Sequence, residues 1–162
     1  MTDLNNLISP FFLNDKEIKK VIELFFFSYR DFTSGPDKIL VKLNFGRAHH
    51  RVIYFVGKKN NITIKELLGV LKITKQSLSR VLNQLVKEGF IVVSTGLDKR
   101  TKTLSLTNNG KNLENKLSTI QINKIKKAIN SFNHKDINGF KKILYEMIGA
   151  DNKKTFQDLN GL

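Results

Sequence analysis

The stretch that decides the fold runs from residue 63 to residue 110 and reads TIKELLGVLKITKQSLSRVLNQLVKEGFIVVSTGLDKRTKTLSLTNNG. Two helical patterns joined by a short turn precede two β-type segments around a charged tip. Thr63 and Glu66 have the spacing of a capping box, in which each side chain satisfies the other residue's free backbone N–H. The leucines that follow supply the buried side of this first helix: Leu67, Leu68 and Leu71. Gly69 lies inside it, where we expect another helix to approach closely.

The second helix is predicted to begin after Ile73, with Thr74 as its N-cap. Its apolar residues recur at helical spacing and form one stripe: Leu78, Val81, Leu82, Leu85 and Val86. The opposite face is polar and basic, with no acidic residue before Glu88: Lys75, Gln76, Ser79, Arg80, Asn83 and Lys87. Gln and Asn can pair with adenine, and Arg and Lys with guanine. This face is typical of a helix that reads the DNA major groove.

The segments after this helix predict a β-wing. Gly89 is a typical helix C-cap, and strands are expected over residues 90–93 and 102–107. Gly96 is expected to adopt the positive φ of a hairpin, and Arg100 near the tip has the reach to enter a minor groove. A short strand at Ile62 would complete a three-stranded sheet. The sequence therefore predicts a winged helix-turn-helix.

These residues together resemble the MarR family of bacterial transcription regulators. The resemblance is carried, in order, by ITKQSLSRVL (73–82), LVKEGFI (85–91), DKR (98–100) and LSLT (104–107) with Gly110 three residues on. Upstream, FGRAHHRV (45–52) is similar to the second helix of a subgroup found in alphaproteobacteria. The resemblance extends from about residue 36 to residue 112.

The expected site combines the helix face with the wing. The candidate DNA-binding residues are Lys75, Gln76, Ser77, Ser79, Arg80, Asn83, Asp98, Lys99, Arg100 and Lys102, of which Ser77 lies nearest the core side. The resemblance implies that Asp98 orients the arginine beside it. It also implies a homodimer, which would place two recognition helices on an inverted-repeat operator.

A small-molecule effector, held between the dimer helices and the DNA-binding lobe, is also consistent with the resemblance. Phe45 and His49 are its candidate contacts, and a packed position is the other interpretation of His49. Arg47 and Arg51 nearby would either contact phosphates or lie in solvent. Two adjacent histidines point about 100° apart on a helix, so His49 and His50 do not jointly predict a metal site.

The distribution of charge supports a nucleic-acid partner. The 162 residues carry a net charge of +14. Residues 38–112 hold 15 basic and 3 acidic side chains, whereas the rest of the chain holds 13 basic and 11 acidic ones. An AT-rich genome would raise the lysine content everywhere, but in the flanks acidic residues balance it. The excess therefore lies on the segment that is predicted to contact DNA.

The flanking regions predict dimerisation helices, and the fold class is mainly α with a small β-wing (α+β). We expect a first helix over residues 15–32 that is ended by Ser34-Gly35-Pro36-Asp37, a second over 37–58, and two more over 108–130 and 135–148. The first helix is apolar over more than half of its circumference at Leu24–Phe27, which favours burial against a second chain. The arm at residues 1–13 carries an apolar patch, Ile8 and Phe11–Leu13, that would contact either a partner or its own core.

The chain is accordingly divided into an N-terminal arm and dimerisation helix (1–36), a DNA-binding domain (37–110), C-terminal dimerisation helices (111–149) and a flexible polar tail (150–162). The absence of cysteine excludes disulfides and thiol-based sensing. No glycine-rich phosphate loop and no metal-ligand spacing occurs, so we expect neither an enzyme nor a cofactor or metal. The lack of a secretory signal and of a run of about 20 apolar residues predicts a cytoplasmic protein with no membrane contact.

Two other functions fit the same fold. An architectural DNA-binding protein with little sequence preference would also carry the basic segment, but phosphate binding does not require Gln76 and Asn83. A winged helix used as a protein-interaction module usually lacks a basic recognition face, and this chain has one. Sequence-specific regulation of transcription is therefore the preferred function.

Overall fold

The structure, a computed structural model, describes residues 14–96 and 98–162, and in these ranges it contains seven helices and three short strands. They are α1 (Asp15–Lys42), α2 (Arg47–Lys58), β1 (Ile62–Thr63), α3 (Ile64–Leu71), α4 (Lys75–Lys87), β2 (Ile91–Thr95), β3 (Lys102–Leu106), α5 (Asn108–Ile129), α6 (His134–Met147) and α7 (Ala150–Asn160). The predicted mainly helical fold with a small β-wing is confirmed. The apolar patch expected in the N-terminal arm lies outside the described residues.

Helices α3 and α4 form the predicted helix-turn-helix. The Glu66 backbone N–H donates to the Thr63 hydroxyl at 3.1 Å, and the Thr63 N–H donates to the Glu66 carboxylate at 2.8 Å, so the capping box is confirmed. The Thr74 hydroxyl accepts from the Ser77 N–H at 3.1 Å and caps α4 as predicted. Gly69 does not serve close packing, because a Cβ there would meet no atom within 4 Å.

The capping box leads to a prediction about acid stability. Hydrogen bonds from Lys59 and from Thr63 hold the pKa of Glu66 at about 2, below its ordinary value of 4.5. A carboxyl whose pKa is lowered by folding stabilises the protein above the unfolded-state pKa, and that contribution is lost as the pH falls from about 4.5 towards 2. Because the Glu66 side chain is 43% exposed, solvent screening limits the contribution to less than about 1 kcal/mol.

In Glu66→Gln the amide keeps the cap but cannot ionise. The urea midpoint of the wild type should therefore fall more steeply than that of the variant below about pH 5. Parallel curves for the two proteins would show that the ionised form of Glu66 does not contribute to stability.

The three strands form one antiparallel sheet in the order β1-β3-β2, as predicted for the wing. Ile62 pairs with Leu104, and the β2–β3 ladder ends at the pair of Thr95 with Lys102. The prediction of a positive φ at Gly96 is wrong; among the described residues of the tip, Lys99 is left-handed, with φ of 55°. Gly96 instead closes the ladder, because its N–H donates to the Thr101 carbonyl at 2.6 Å.

The first helix does not end at Ser34-Gly35-Pro36-Asp37 as predicted, but continues through Pro36 to Lys42. An internal proline removes one helical hydrogen bond and costs roughly 3 kcal/mol. Burial of Pro36 and Leu40, together with contact between α1 and α5, offsets this cost. Gly35 permits the contact, since a Cβ there would lie 2.6 Å from the Ile120 side chain. The boundary expected at residues 36–37 therefore falls inside α1.

The predicted second helix over residues 37–58 is instead divided at Leu43–Gly46. Asn44 has a φ of 55°, its N–H donates to Val41 O, and the Phe45 N–H donates to Leu40 O. These bonds form a Schellman motif with asparagine at the left-handed position, which ends α1 and lets α2 begin after Gly46. As a result Val41 lies at the end of α1, where its side chain is 70% exposed.

The C-terminal helices α5 and α6 occupy the predicted segments, but residues 150–160 form α7 rather than a flexible tail. Helix α7 lies against α3 and also bonds to side chains of α6. Lys153 pairs with Glu146 at 2.9 Å, and the Gln157 amide donates to the Tyr145 hydroxyl at 3.1 Å. Within residues 14–96 and 98–162, no helix is long and apolar enough to cross a membrane.

Candidate nucleic-acid interface

Helix α4 has one buried and one exposed face, as its pattern predicts. Four stripe residues are buried (Leu78, Val81, Leu82 and Leu85), whereas Val86 is 38% exposed. The predicted contact residues of α4 are all exposed: Lys75, Gln76, Ser77, Ser79, Arg80 and Asn83. Ser77 is partly engaged in the cap, because its hydroxyl accepts from Thr74 at 2.9 Å. Together these exposed side chains form the reading face, which is free of acidic groups.

The reading face and the wing border the same groove, which has a volume of about 650 Å³. Lys75, Ser79 and Asn83 line it from α4, and Lys102 lines it from β3. Lys87, which is not among the predicted contacts, lies on the same wall. Tertiary packing therefore brings ammonium groups from two distant segments around side chains that can read bases.

The wing tip is organised by Asp98. Its carboxylate accepts from the backbone N–H of Arg100 at 3.1 Å, and from the N–H and hydroxyl of Thr101 at 2.7 and 2.6 Å. These bonds, with the Thr101 hydroxyl first among them, hold the pKa of Asp98 below its usual value. The carboxylate of Asp98 thus accepts from the backbone beside the Arg100 side chain. The side chains of Lys99, Arg100 and Lys102 are exposed.

The arginines of α2, Arg47 and Arg51, are exposed, and each donates a hydrogen bond to a side chain of α1. Arg47 donates to the Asp37 carboxylate at 2.9 and 3.0 Å, and Arg51 donates to the Tyr29 hydroxyl at 3.3 Å. Burial lowers the pKa of the neighbouring His50. This cluster joins α1 to α2 beside the DNA-binding lobe.

The two candidate effector contacts, Phe45 and His49, are packed against each other. Phe45 is 4% exposed, and its ring stacks on that of His49 with a centroid distance of 4.7 Å. His49 also contacts Gln84 of α4 at 2.8 Å, a link across 35 residues that the sequence patterns did not reveal. These contacts explain why Phe45 and His49 occupy their positions without a ligand. Their role in binding an effector stays a prediction. Among the described residues, no three His, Asp or Glu side chains lie together as a metal site would require.

Comparisons with known proteins agree with this geometry. Residues 43–101 match a family model described as the MarR family. The chain is 39% identical over 149 residues to the HTH-type transcriptional regulator PetP of Rhodobacter capsulatus, covering 91% of this chain and 90% of that protein.

Solved structures share the fold. A SlyA-like transcription regulator from Listeria monocytogenes has a TM-score of 0.67 at 20% identity, with 88% of this chain and 93% of that one covered. A putative MarR family regulator from the same species, complexed with a 26mer DNA, has a TM-score of 0.69 at 19% identity, with 86% and 94% covered. The relatives are transcriptional regulators and not enzymes. This chain belongs to the MarR family of transcriptional regulators and has its winged helix-turn-helix fold.

Proposed function

We propose that the protein is a homodimer that binds an inverted-repeat operator, with α4 in the major groove and the wing at the adjacent minor groove. The observation that supports this most directly is the groove shared by α4 and β3, which is lined by Lys75 and Lys102 together with Ser79 and Asn83. Cations of this kind contact phosphates and fix the position of the protein, whereas amides and Arg80 can discriminate base edges. A related structure that contains DNA supports the same partner for this chain. Such a regulator would act in the cytoplasm.

Selection of bound sequences from a random duplex pool at near-physiological salt tests this function. We expect enrichment of an inverted repeat whose half-sites lie about 10 base pairs apart, because two recognition helices then meet successive major grooves. The salt concentration matters, since low salt strengthens non-specific binding. Tight binding at low salt only, with no enriched sequence, would instead favour an architectural protein.

The wing contributes a separate prediction. The exposed Arg100 lies at a tip whose backbone Asp98 holds in place, so we expect Arg100→Ala to weaken binding to every duplex. Removal of one phosphate contact should also lower the slope of log K against log salt by roughly 1. Fluorescence anisotropy over a salt series measures both quantities. Lys154→Ala, which removes an exposed cation of α7, is the control, and an unchanged affinity for Arg100→Ala would remove the wing from the interface.

The homodimer is supported by exposed apolar side chains on α1 and α6. The most exposed include Leu24 (62%) and Phe26 (62%) on α1, and Ile143 (60%) and Met147 (62%) on α6. An apolar groove of about 730 Å³ lies between α1, α5 and α6. A second copy of the chain would cover these surfaces across a self-complementary interface.

A charge within this surface should therefore separate the subunits. We expect Ile143→Glu to shift the protein from dimer to monomer at micromolar concentration, because association would bury an unpaired carboxylate. Val92→Glu, which changes an exposed valine of the wing, serves as control. Analytical ultracentrifugation of the three proteins measures the outcome, and an intact Ile143→Glu dimer would exclude α6 from the interface.

For the effector we propose an amphipathic anion. A cleft of about 410 Å³ between α1 and α5 is lined by apolar side chains, including Leu43 and Phe90, and by the cations Lys42 and Lys116. Phe90 contacts Phe45 edge-on at 5.3 Å, which links the cleft to the predicted effector contacts. Calorimetric titration with benzoate tests this, and Lys116→Gln should weaken binding. Equal binding of benzoate by the wild type and by Lys116→Gln would place the ligand outside this cleft.

A further inference from the structure

Gln84 lies on α4 beside Asn83 and one turn after Arg80, yet its side chain is directed away from the reading face. Its Oε1 atom lies 2.8 Å from Nε2 of His49 on α2. Its amide nitrogen donates to the backbone carbonyl of Asn44 at 3.3 Å and to Glu88 at 3.1 Å. One side chain therefore connects α4 to α2 and to the turn that ends α1.

His49 is held in one tautomer. Its Nδ1 atom accepts the backbone N–H of Gly46 at 3.1 Å, so Nε2 carries the hydrogen and donates to Gln84. The imidazole ring stacks on Phe45 with an interplanar angle of 10°. Phe45 is itself buried and contacts Phe90, just beyond the end of α4. The donor that meets Gln84 is thus fixed by a hydrogen bond and by a stack on the core.

The apolar contacts of α4 set which of its faces is buried, but they limit its exact rotation about its own axis less narrowly than a hydrogen bond does. Burial of Leu78, Leu82 and Leu85 holds the helix against the core, but hydrophobic contact has no preferred direction. A hydrogen bond has narrow limits of distance and angle. A rotation of about 10° would move side-chain tips near 6 Å from the axis by roughly 1 Å, which breaks a hydrogen bond to a base edge.

We propose that Gln84 and His49 form a latch that sets the rotation of α4 and thereby the sequence specificity of DNA binding. Neither residue contacts DNA in this proposal; both are positioning residues that act through Arg80 and Asn83. This role rests on the proposed sequence-specific function. It predicts that loss of the latch reduces discrimination between sequences while it leaves attraction to phosphates intact.

Gln84→Met tests the latch, because methionine has a similar length and helix propensity but forms no amide hydrogen bonds. The quantity to measure is the affinity for the enriched operator divided by that for a scrambled duplex of equal length. We expect this ratio to fall about tenfold, the effect of losing one bidentate base contact, with the scrambled-duplex affinity unchanged within about twofold. The melting temperature of each protein is recorded alongside.

His49→Gln tests the other half of the latch, since glutamine at the third helical position can still accept the Gly46 N–H. We expect the same loss of discrimination between the operator and the scrambled duplex. The double variant, which combines His49→Gln with Gln84→Met, should lose no more discrimination than the more affected of the two single variants. Gln121→Met, the same substitution on α5, is the matched control and should retain the wild-type ratio.

Three results would overturn the latch but leave sequence-specific binding intact. The first is a ratio of operator to scrambled-duplex affinity in Gln84→Met that equals that of the wild type. The second is an equal loss of affinity for the operator and the scrambled duplex, which would indicate a purely structural role. The third is an Nδ1–H tautomer of His49 in ¹⁵N NMR spectra of the free protein. A wild type that enriches no sequence would refute specific binding together with the latch, and this outcome is recognised without any variant.

Discussion

Gly110→Ala is expected to destabilise the protein by about 3–5 kcal/mol, because a Cβ at this position would lie 2.1 Å from the Phe90 carbonyl oxygen. That oxygen also accepts the Thr107 N–H at 3.1 Å, and the Thr107 hydroxyl donates to the Gly89 carbonyl at 2.6 Å. The first turn of α5 is therefore docked directly on the backbone that connects α4 to the wing. Neither backbone can move without breaking these hydrogen bonds.

Urea denaturation at matched protomer concentration measures the effect, since dimerisation would make stability depend on concentration. Gly69→Ala is the matched control: it adds the same methyl group inside a helix, but meets no atom within 4 Å. It should raise stability by about 0.5–1 kcal/mol through the helix preference of alanine. If Gly110→Ala were as stable as the wild type, α5 could not be docked on the Phe90 backbone as described.

Arg80→Ala is expected to cost roughly 1–3 kcal/mol on the enriched operator and to relax base preference at one position of each half-site. Arg80 is exposed in the middle of the reading face, and no acidic residue shares that face. Its guanidinium has the planar fork that pairs bidentately with guanine. Anisotropy on operators that carry each base at the affected position measures the change.

Arg80→Lys separates base reading from simple attraction. Lysine keeps the charge but lacks the fork, so it should retain affinity for a scrambled duplex and still lose discrimination. If Arg80→Ala weakened all duplexes equally and Arg80→Lys behaved as the wild type, Arg80 would be a phosphate contact. The proposed reading face would then depend on Gln76 and Asn83.

The part of the fold governed by local rules could be predicted from sequence. The capping box at Thr63, the N-cap at Thr74 and the stripe of α4 depend on residues within one or two turns of each other. The predicted ends of α4 and α5 agree with the structure because helix ends, too, depend on nearby residues. The predicted polar face of α4 is also exposed, since a helix that buries one face must present the other.

The errors arise where distant residues override a local signal. Ser34-Gly35-Pro36 is a strong helix breaker in isolation, but packing against Ile120 keeps α1 continuous. Asn44 ends α1 although its neighbours continue the apolar period, because the Schellman bonds and the burial of Phe45 stabilise the turn. Residues 150–160 have no apolar stripe, and their helix lies against α3 and bonds to Tyr145 and Glu146 of α6.

The sequence by itself therefore determined the helix-turn-helix, the wing and the basic reading face, because caps, periodicity and charge are properties of neighbouring residues. Only the tertiary structure showed where α1 ends, that Lys99 is left-handed in the wing tip, and that a side-chain contact joins α4 to α2. The link between Gln84 and His49 spans 35 residues and has no periodic signature. Such contacts depend on how whole helices pack, and packing is set by the shape of the assembled core rather than by any short stretch of chain.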